Sequence, residues 1–360
     1  MSTRSMVLIV AGLLAVACVV ATPAATVLIQ APTPAADILP LMDTAAPERA
    51  EPTSTTAVAP VADPDALDPS PPAQPVRLIF IHHSSGENWL ADGNGGLGLA
   101  LMDNHYFVSD TNYGWGPNDP LLGGPIGDNT DIGHWWNWFV GPAQGSILQA
   151  LFAENEQHAE YTRLTDDPGG ANQIVMFKSC FPNSALGGSP HDPPATGKNP
   201  LQGQASGSEH YTVANAKRLY ADLLPFFESR PETLFVAVTA PPLLAADTSP
   251  EQAANARAFN RWLTTEWLAG YPLPNVAVFD FYNVLTSNGG NAAVNDADSS
   301  GGNHHRFRNG RIEYVTDQGS DASAYALEGD SHPTPAGNQK ATAEFVPLLN
   351  VFTHRWLGAR

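Results

Sequence analysis

The chain has 360 residues, with 36 Asp and Glu against 17 Lys and Arg and a formal net charge of −19. So acidic a protein repels phosphate backbones, which argues against a nucleic-acid partner. Two cysteines exclude a disulfide framework, and the length fits one large domain or two ordinary ones.

Residues 1–30 read as an export segment. Arg4 gives the positive start, and Met6–Ala21 is an uncharged apolar run of 16 residues. A spanning helix needs about 20, so a secretory signal fits better. Uncleaved, the stretch to Ile29 could anchor the chain, the one membrane contact the sequence offers. Cys18 follows Ala15-Val16-Ala17, a poor lipoprotein box. Either way the domain is expected to be secreted or tethered outside the cell. Residues 31–75 hold 11 of the 32 prolines and no glycine. Such a segment buries no core and reads as a disordered linker. Residues 1–75 set seven acids against Arg4 and Arg49, so most of the negative charge lies in 76–360.

Residues 76–360 read as one α/β domain. Apolar runs mark strands at Val76–Ile81, Ile174–Phe177, Leu234–Val238 and Val276–Phe279, with a weaker one at Tyr106–Val108. Between them, 210–229 carries Leu219, Leu223 and Phe226 at helical spacing. Ser249-Pro250-Glu251-Gln252 is a capping box with proline at the first helical position. A closing helix spans 334–352. Strands alternating with helices predict a three-layer α/β/α sandwich around a mainly parallel sheet. The segments 114–172 and 286–328, rich in Gly, Asn and Asp, read as long loop insertions.

Ligands of such a sheet gather at the carboxyl ends of its strands. After the first strand comes His82-His83-Ser84-Ser85-Gly86, where a serine hydroxyl can project at the sheet edge. After the second comes Asp110-Thr111-Asn112-Tyr113-Gly114-Trp115-Gly116, whose glycines let backbone N–H groups approach a substrate. After the third, Lys178-Ser179-Cys180-Phe181-Pro182-Asn183 offers an amide for a developing oxyanion. Cys180 reads as a buried, inert thiol. Glu328-Gly329-Asp330-Ser331-His332-Pro333 places a histidine just before the last helix, with carboxylates close by.

The order strand–Ser, Gly, strand–Asn and a late acid–His-Pro resembles the SGNH hydrolases, the GDSL-type esterase/lipase superfamily. The resemblance covers about 76–352. It implies Ser84 as nucleophile and His332 as general base. It implies an oxyanion hole from the N–H groups of Ser84 and Gly114 and the Asn183 side chain, with no metal or organic cofactor. The usual Gly-Asp-Ser is here His82-His83-Ser84, so Ser85 stays an alternative nucleophile and Gly116 an alternative to Gly114. The acid normally stands three residues before the histidine. Gly329 occupies that position, leaving Asp330 or Glu328 as third member, or a dyad alone.

His134-Trp135-Trp136-Asn137-Trp138-Phe139 either anchors the insertion or offers Trp135 and Trp136, with His83, to a substrate. The pairs His82-His83 and His304-His305 raise a metal alternative. Adjacent strand residues point to opposite faces, however, and rarely chelate one ion. Asp128-Asn129-Thr130-Asp131 and Asp296-Ala297-Asp298 read as solvated turns rather than Ca²⁺ loops. The functional expectation is an exported esterase acting on a small-molecule or carbohydrate ester. A non-catalytic carbohydrate-binding or adhesion module of the same fold is the alternative, and a metal-dependent hydrolase a third.

Overall fold

The structure is a computed structural model that describes residues 67–286, 305–308, 310–314 and 322–360. The expected export segment, the linker up to residue 66, His304 and the Asp296-Ala297-Asp298 turn lie outside these residues. Among the described residues no helix is long and apolar enough to cross a membrane.

In chain order, β1 (Val76–Ile81) leads through α1 (Ser84–Leu90) and α2 (Leu97–Asp103) to β2 (Tyr106–Thr111). A short ribbon of β3 (Asn118–Asp119) and β4 (Gly124–Pro125) follows, then α3 (Trp135–Phe139), α4 (Gln144–Ala153) and β5 (Ile174–Lys178). Next come α5 (Val213–Glu228), β6 (Leu234–Val238), α6 (Pro250–Thr265), β7 (Val276–Phe279) and α7 (Phe281–Thr286). Two hairpins, β8 (His305–Arg308) with β9 (Arg311–Tyr314) and β10 (Ala326–Leu327) with β11 (Asp330–Pro333), precede α8 (Pro335–Gly358).

The central sheet runs β2-β1-β5-β6-β7 with every pair parallel. Its strands read as unbroken apolar runs because both faces are covered. Alternation sorts their side chains. Ile79, Ile81, Val175, Phe177, Phe235 and Ala237 face one core, filled from α3, α4, α5 and α6. Leu78, Phe80, Met176, Val236 and Phe279 face the other, filled from α1, α2, α7 and α8. The result is the predicted three-layer sandwich. The expected capping box of α6 is present, with Ser249 and Gln252 each bonding the other's backbone.

The chain leaves β1 toward β2 on one side and returns to β5 on the other. That reversal opens a crevice at the carboxyl ends of β1 and β5, where ligands of open α/β sheets bind.

Two boundaries differ from the sequence reading. Residues 67–75, assigned to the linker, are tied to the domain. Pro69 O accepts from Asn350 Nδ2, and Pro72 and Ser70 carbonyls pair with the His105 and His354 rings. The segment 114–172 is no loose loop either, since it contributes α3 and α4 to a core. Trp135 is fully buried there, edge-on to Phe177, with its Nε1 donating to Ser179 Oγ at 3.1 Å. Trp136 is half-buried against the same cluster. Trp135 therefore offers no face to a substrate: the aromatic run anchors the insertion, because burying these rings is worth more than exposing them. Trp135→Ala should cost about 3–5 kcal/mol, read as a lower urea midpoint, whereas a ligand-stacking tryptophan would leave the midpoint unchanged.

Candidate active site

The site begins at the turn from β1 into α1. His82 is buried, and its ring bridges two elements. Its Nε2 lies 3.1 Å from Asp110 Oδ2 at the end of β2, and its Nδ1 lies 2.9 Å from the His83 carbonyl oxygen. Asp110 Oδ1 accepts further bonds from the Tyr161 hydroxyl and the His158 N–H. Helix α1 passes directly over the His82 ring. A Cβ at Gly86 would come within 2.3 Å of His82 Cβ, so only glycine lets the helix start this close to the strand. Ser84 is thereby fixed as the first residue of α1, half-buried at the crevice.

Ser84 Oγ lies 2.7 Å from His332 Nε2, bringing together residues 248 apart in sequence. His332 Nδ1 lies 2.7 Å from Asp330 Oδ1, and the same oxygen accepts the His332 backbone N–H. The reason is local. Glu328 and Gly329, the latter with φ +75°, turn the chain from β10 into β11. In β11, residues two apart project on the same side. Asp330 and His332 therefore face out together, while Ser331 and Pro333 point inward. Ser331 Oγ donates to Asp247 at 2.7 Å and accepts from Leu244 N, which fastens the hairpin to the loop after β6. The Asp330 carboxyl is held below its ordinary range by its hydrogen bonds from His332, so it stays an anion. Phe181 packs edge-on to the His332 ring at 4.8 Å between centroids.

Ser85 takes a different direction. It is fully buried, with Lys178 Nζ 3.1 Å from its Oγ and Cys180 Sγ 3.0 Å away. Cys180 is half-exposed and stands 3.9 Å from Ser84 Oγ. It is therefore a wall of the crevice rather than the buried, apolar thiol the sequence suggested. Lys178 is fully buried, and that burial pulls its ammonium down from 10.5 to about 8, with the Cys180 sulfur pulling weakly the other way.

The expected oxyanion donors are committed elsewhere. The Gly114 N–H donates to Asp128 Oδ1 at 2.7 Å. Asn183 is buried. Its amide donates to Asp131 at 2.6 Å, and its oxygen accepts from Ile132 N and from the Tyr211 hydroxyl. Of the three, only the Ser84 N–H is in place by position. Asp128 and Asp131 thus serve as internal clasps, Asp131 also receiving Ser206 N.

His83 Nε2 lies 2.6 Å from the Gly127 carbonyl oxygen, and its ring stacks on Tyr113 at 3.9 Å. Burial pulls its imidazolium below the usual range. His82 and His83 thus face separate protein oxygens rather than one common point. Among the described residues one group has metal-ligand spacing, Glu154, Glu156 and His158. Glu154 Oε1 there accepts the N–H groups of Asn155 and Glu156, and Oε2 that of the Trp115 indole.

Sequence reasoning missed His82, Lys178 and Tyr113. A buried lysine closing an apolar strand was a legible signal, since such a charge is rarely placed there without a partner. His82 and Tyr113 carried no signal beyond their place at strand ends.

Comparison with protein-family models, curated proteins and solved structures finds no match to this chain.

The depressed Lys178 value has a measurable consequence. The unfolded chain holds this proton up to about pH 10.5 and the folded one only to about 8. The buried charge therefore opposes folding fully below about pH 8, and stability rises between about pH 8 and 10.5. Lys178→Met should stabilise the protein at pH 7 by up to about 3 kcal/mol, with the gain fading toward pH 10.5. Urea unfolding at pH 7 and pH 10 checks it.

Proposed function

We propose that the chain is an exported serine esterase that hydrolyses a carboxylic ester, with Ser84 as nucleophile, His332 as general base and Asp330 as the third member. The observation that carries this reading is the continuous line Ser84 Oγ–His332 Nε2, His332 Nδ1–Asp330 Oδ1, each step 2.7 Å, at the crevice end of a parallel sheet. The resemblance of the chain to SGNH hydrolases supports it through the order of the same parts.

In this reading His332 Nε2 removes the Ser84 proton as Oγ attacks the ester carbonyl carbon. A C–O bond forms, and the carbonyl electron pair moves onto the oxygen. Asp330 accepts the Nδ1–H and stabilises the imidazolium. Collapse of the tetrahedral centre expels the alcohol, which takes its proton from His332. Water then repeats the sequence on the acyl-enzyme and restores Ser84.

The substrate reading narrows to an ester whose acyl group passes between His332, Cys180 and Tyr113. An O-acyl group on extracellular carbohydrate stays within it, on the strength of the export segment. The argument from Trp135 does not survive its burial, and Trp136 is half-buried against the same core. The exposed aromatic at the site is instead Tyr113.

A fluorophosphonate probe should label the peptide containing Ser84 in the purified chain. Ser84→Ala should abolish labelling, while Ser85→Ala should keep it. His332→Ala should lower p-nitrophenyl acetate turnover by about 10²–10⁴-fold, the usual worth of a general base. Asp330→Asn should lower it less. Unchanged turnover in Ser84→Ala would sink Ser84 as nucleophile, whereas wild-type protein that neither turns over nor labels would favour a binding module.

A further inference from the structure

The hydrogen bonds that meet at Ser84 run in one direction. Asp330 Oδ1 accepts the His332 backbone N–H, and His332 Nδ1 donates to the same oxygen at 2.7 Å. Nε2 is therefore the acceptor of the ring, and Ser84 gives it the O–H at 2.7 Å. That leaves the lone pairs of Ser84 Oγ free. On the other side stands Lys178, whose ammonium has three donors and no acceptor. Its Nζ donates to Ser85 Oγ at 3.1 Å, so Ser85 gives its own O–H to Cys180 Sγ at 3.0 Å. The sulfur accepts there and has its S–H to give elsewhere. The oxygen on its other side is Ser84 Oγ, at 3.9 Å.

The sheet fixes both ends of this connection. Strands β1 and β5 pair in parallel with Ile81 beside Phe177, so their exits stand side by side. Lys178 is the last residue of β5, and Ser84 and Ser85 open the helix that follows β1. Lys178 and Ser85 are fully buried, whereas Cys180 is half-exposed in the crevice. The other partners of the ammonium are the Ser179 carbonyl oxygen at 3.4 Å and the Phe281 ring at 5.5 Å. Neither is an anion. A buried cation with neutral partners destabilises a fold, so holding the fold together is a poor account of Lys178. The same charge is useful where negative charge develops during a reaction.

We propose that Lys178, Ser85 and Cys180 form a one-way relay of hydrogen bonds that presents the Cys180 S–H to Ser84 Oγ and prepares the serine for attack. This rests on the esterase reading above. Lys178 and Ser85 are positioning residues that act through Cys180. In the resting site the S–H occupies a lone pair of Oγ and leaves the Ser84 O–H turned to His332. His332 Nε2 then takes that proton as Oγ bonds to the ester carbonyl carbon, and negative charge passes over Oγ. The S–H, polarised by the ammonium behind it, strengthens against that charge. Once the C–O bond is complete the charge lies on the carbonyl oxygen, and the contact relaxes. It strengthens again as Ser84 leaves the acyl-enzyme. Cys180, Ser85 and Lys178 keep their protons throughout, and none of them is acylated.

The test uses the full chain and p-nitrophenyl acetate at pH 7. Lys178→Met should lower kcat on the order of tenfold with KM changed by less than about threefold, the worth of one hydrogen bond to a developing charge. Its urea midpoint should rise at the same time, which separates the effect from damage to the fold. Cys180→Ala should slow turnover by a similar factor. Cys180→Ser keeps a donor in that place and should stay within about threefold of wild type. The double variant Lys178→Met/Cys180→Ala should be no slower than the slower single one, because both cut the same chain. Ser85→Ala should still label at Ser84, but more slowly. Wild-type kcat in Lys178→Met would overturn the proposal. So would losses that multiply in the double variant, or Cys180→Ser as slow as Cys180→Ala. Wild-type protein that neither turns over nor labels defeats the esterase reading and the relay with it. Active wild type with unaffected variants defeats the relay alone.

Discussion

The tight passage from β1 into α1 is the constraint on which the rest of the site depends. The imidazole of His82 fills the space beneath the first turn of α1 and is pinned by Asp110 on the neighbouring strand. Helix and strand can meet that closely only because residue 86 has no side chain. Without the clasp the turn would have the freedom of an ordinary strand–helix loop, and the Ser84 hydroxyl would sample several directions. With it, Ser84 and Ser85 are forced apart: the first toward the crevice and His332, the second inward toward Lys178 and Cys180. A choice between two adjacent serines is thus made by backbone geometry alone.

The fold was legible because its signal is cheap to read. Buried parallel strands must be apolar throughout, and Val76–Ile81, Leu234–Val238 and Val276–Phe279 are, so even their bounds match. The α6 capping box was legible for a similar reason, being a local bond between residues three apart. Ser84 and His332 were legible from position at strand and helix ends. The acid was not settled by spacing, because the sequence gives no sign that 330–333 is extended. Once it is a strand, a separation of two is the natural one for a pair on a common face. The oxyanion donors were misread for the converse reason. A glycine N–H or an asparagine amide is available only if nothing nearby claims it, and the claimants here, Asp128 and Asp131, lie 14 and 52 residues away. The aromatic run around Trp135 failed likewise, since burial is decided by what the insertion packs on.

Acidity, the most visible feature of the composition, acquires a structural use. Asp110, Asp119, Asp128, Asp131 and Asp247 are all acceptors for N–H or O–H donors in the loops at the strand ends. A carboxylate accepts several hydrogen bonds at once and donates none, so it organises irregular backbone that has no ladder to satisfy it. Such carboxylates fasten the turns of the 114–172 insertion, while its aromatic run packs it onto the core. The same habit explains why the Gly114 and Asn183 donors are unavailable: a loop built on carboxylates uses up the donors around it.

Of the carboxylate–histidine pairs, those of His82 with Asp110 and His332 with Asp330 stand on either side of Ser84 in the chain of contacts, and they differ in burial. Asp110 and His82 are sealed from solvent, a pairing in which loss of either partner would strand a buried polar group. Asp330 is about half exposed, and His332 is about a fifth exposed. Solvent screens such a pair, so the field of Asp330 adds little to the stability of the fold. Its worth is directional. Holding Nδ1 fixes the ring plane and leaves Nε2 aimed at Ser84. The buried pair sets where the serine stands, and the exposed pair orients the imidazole that faces it. On the proposed esterase reading both are needed, the first to place the serine and the second to orient the base.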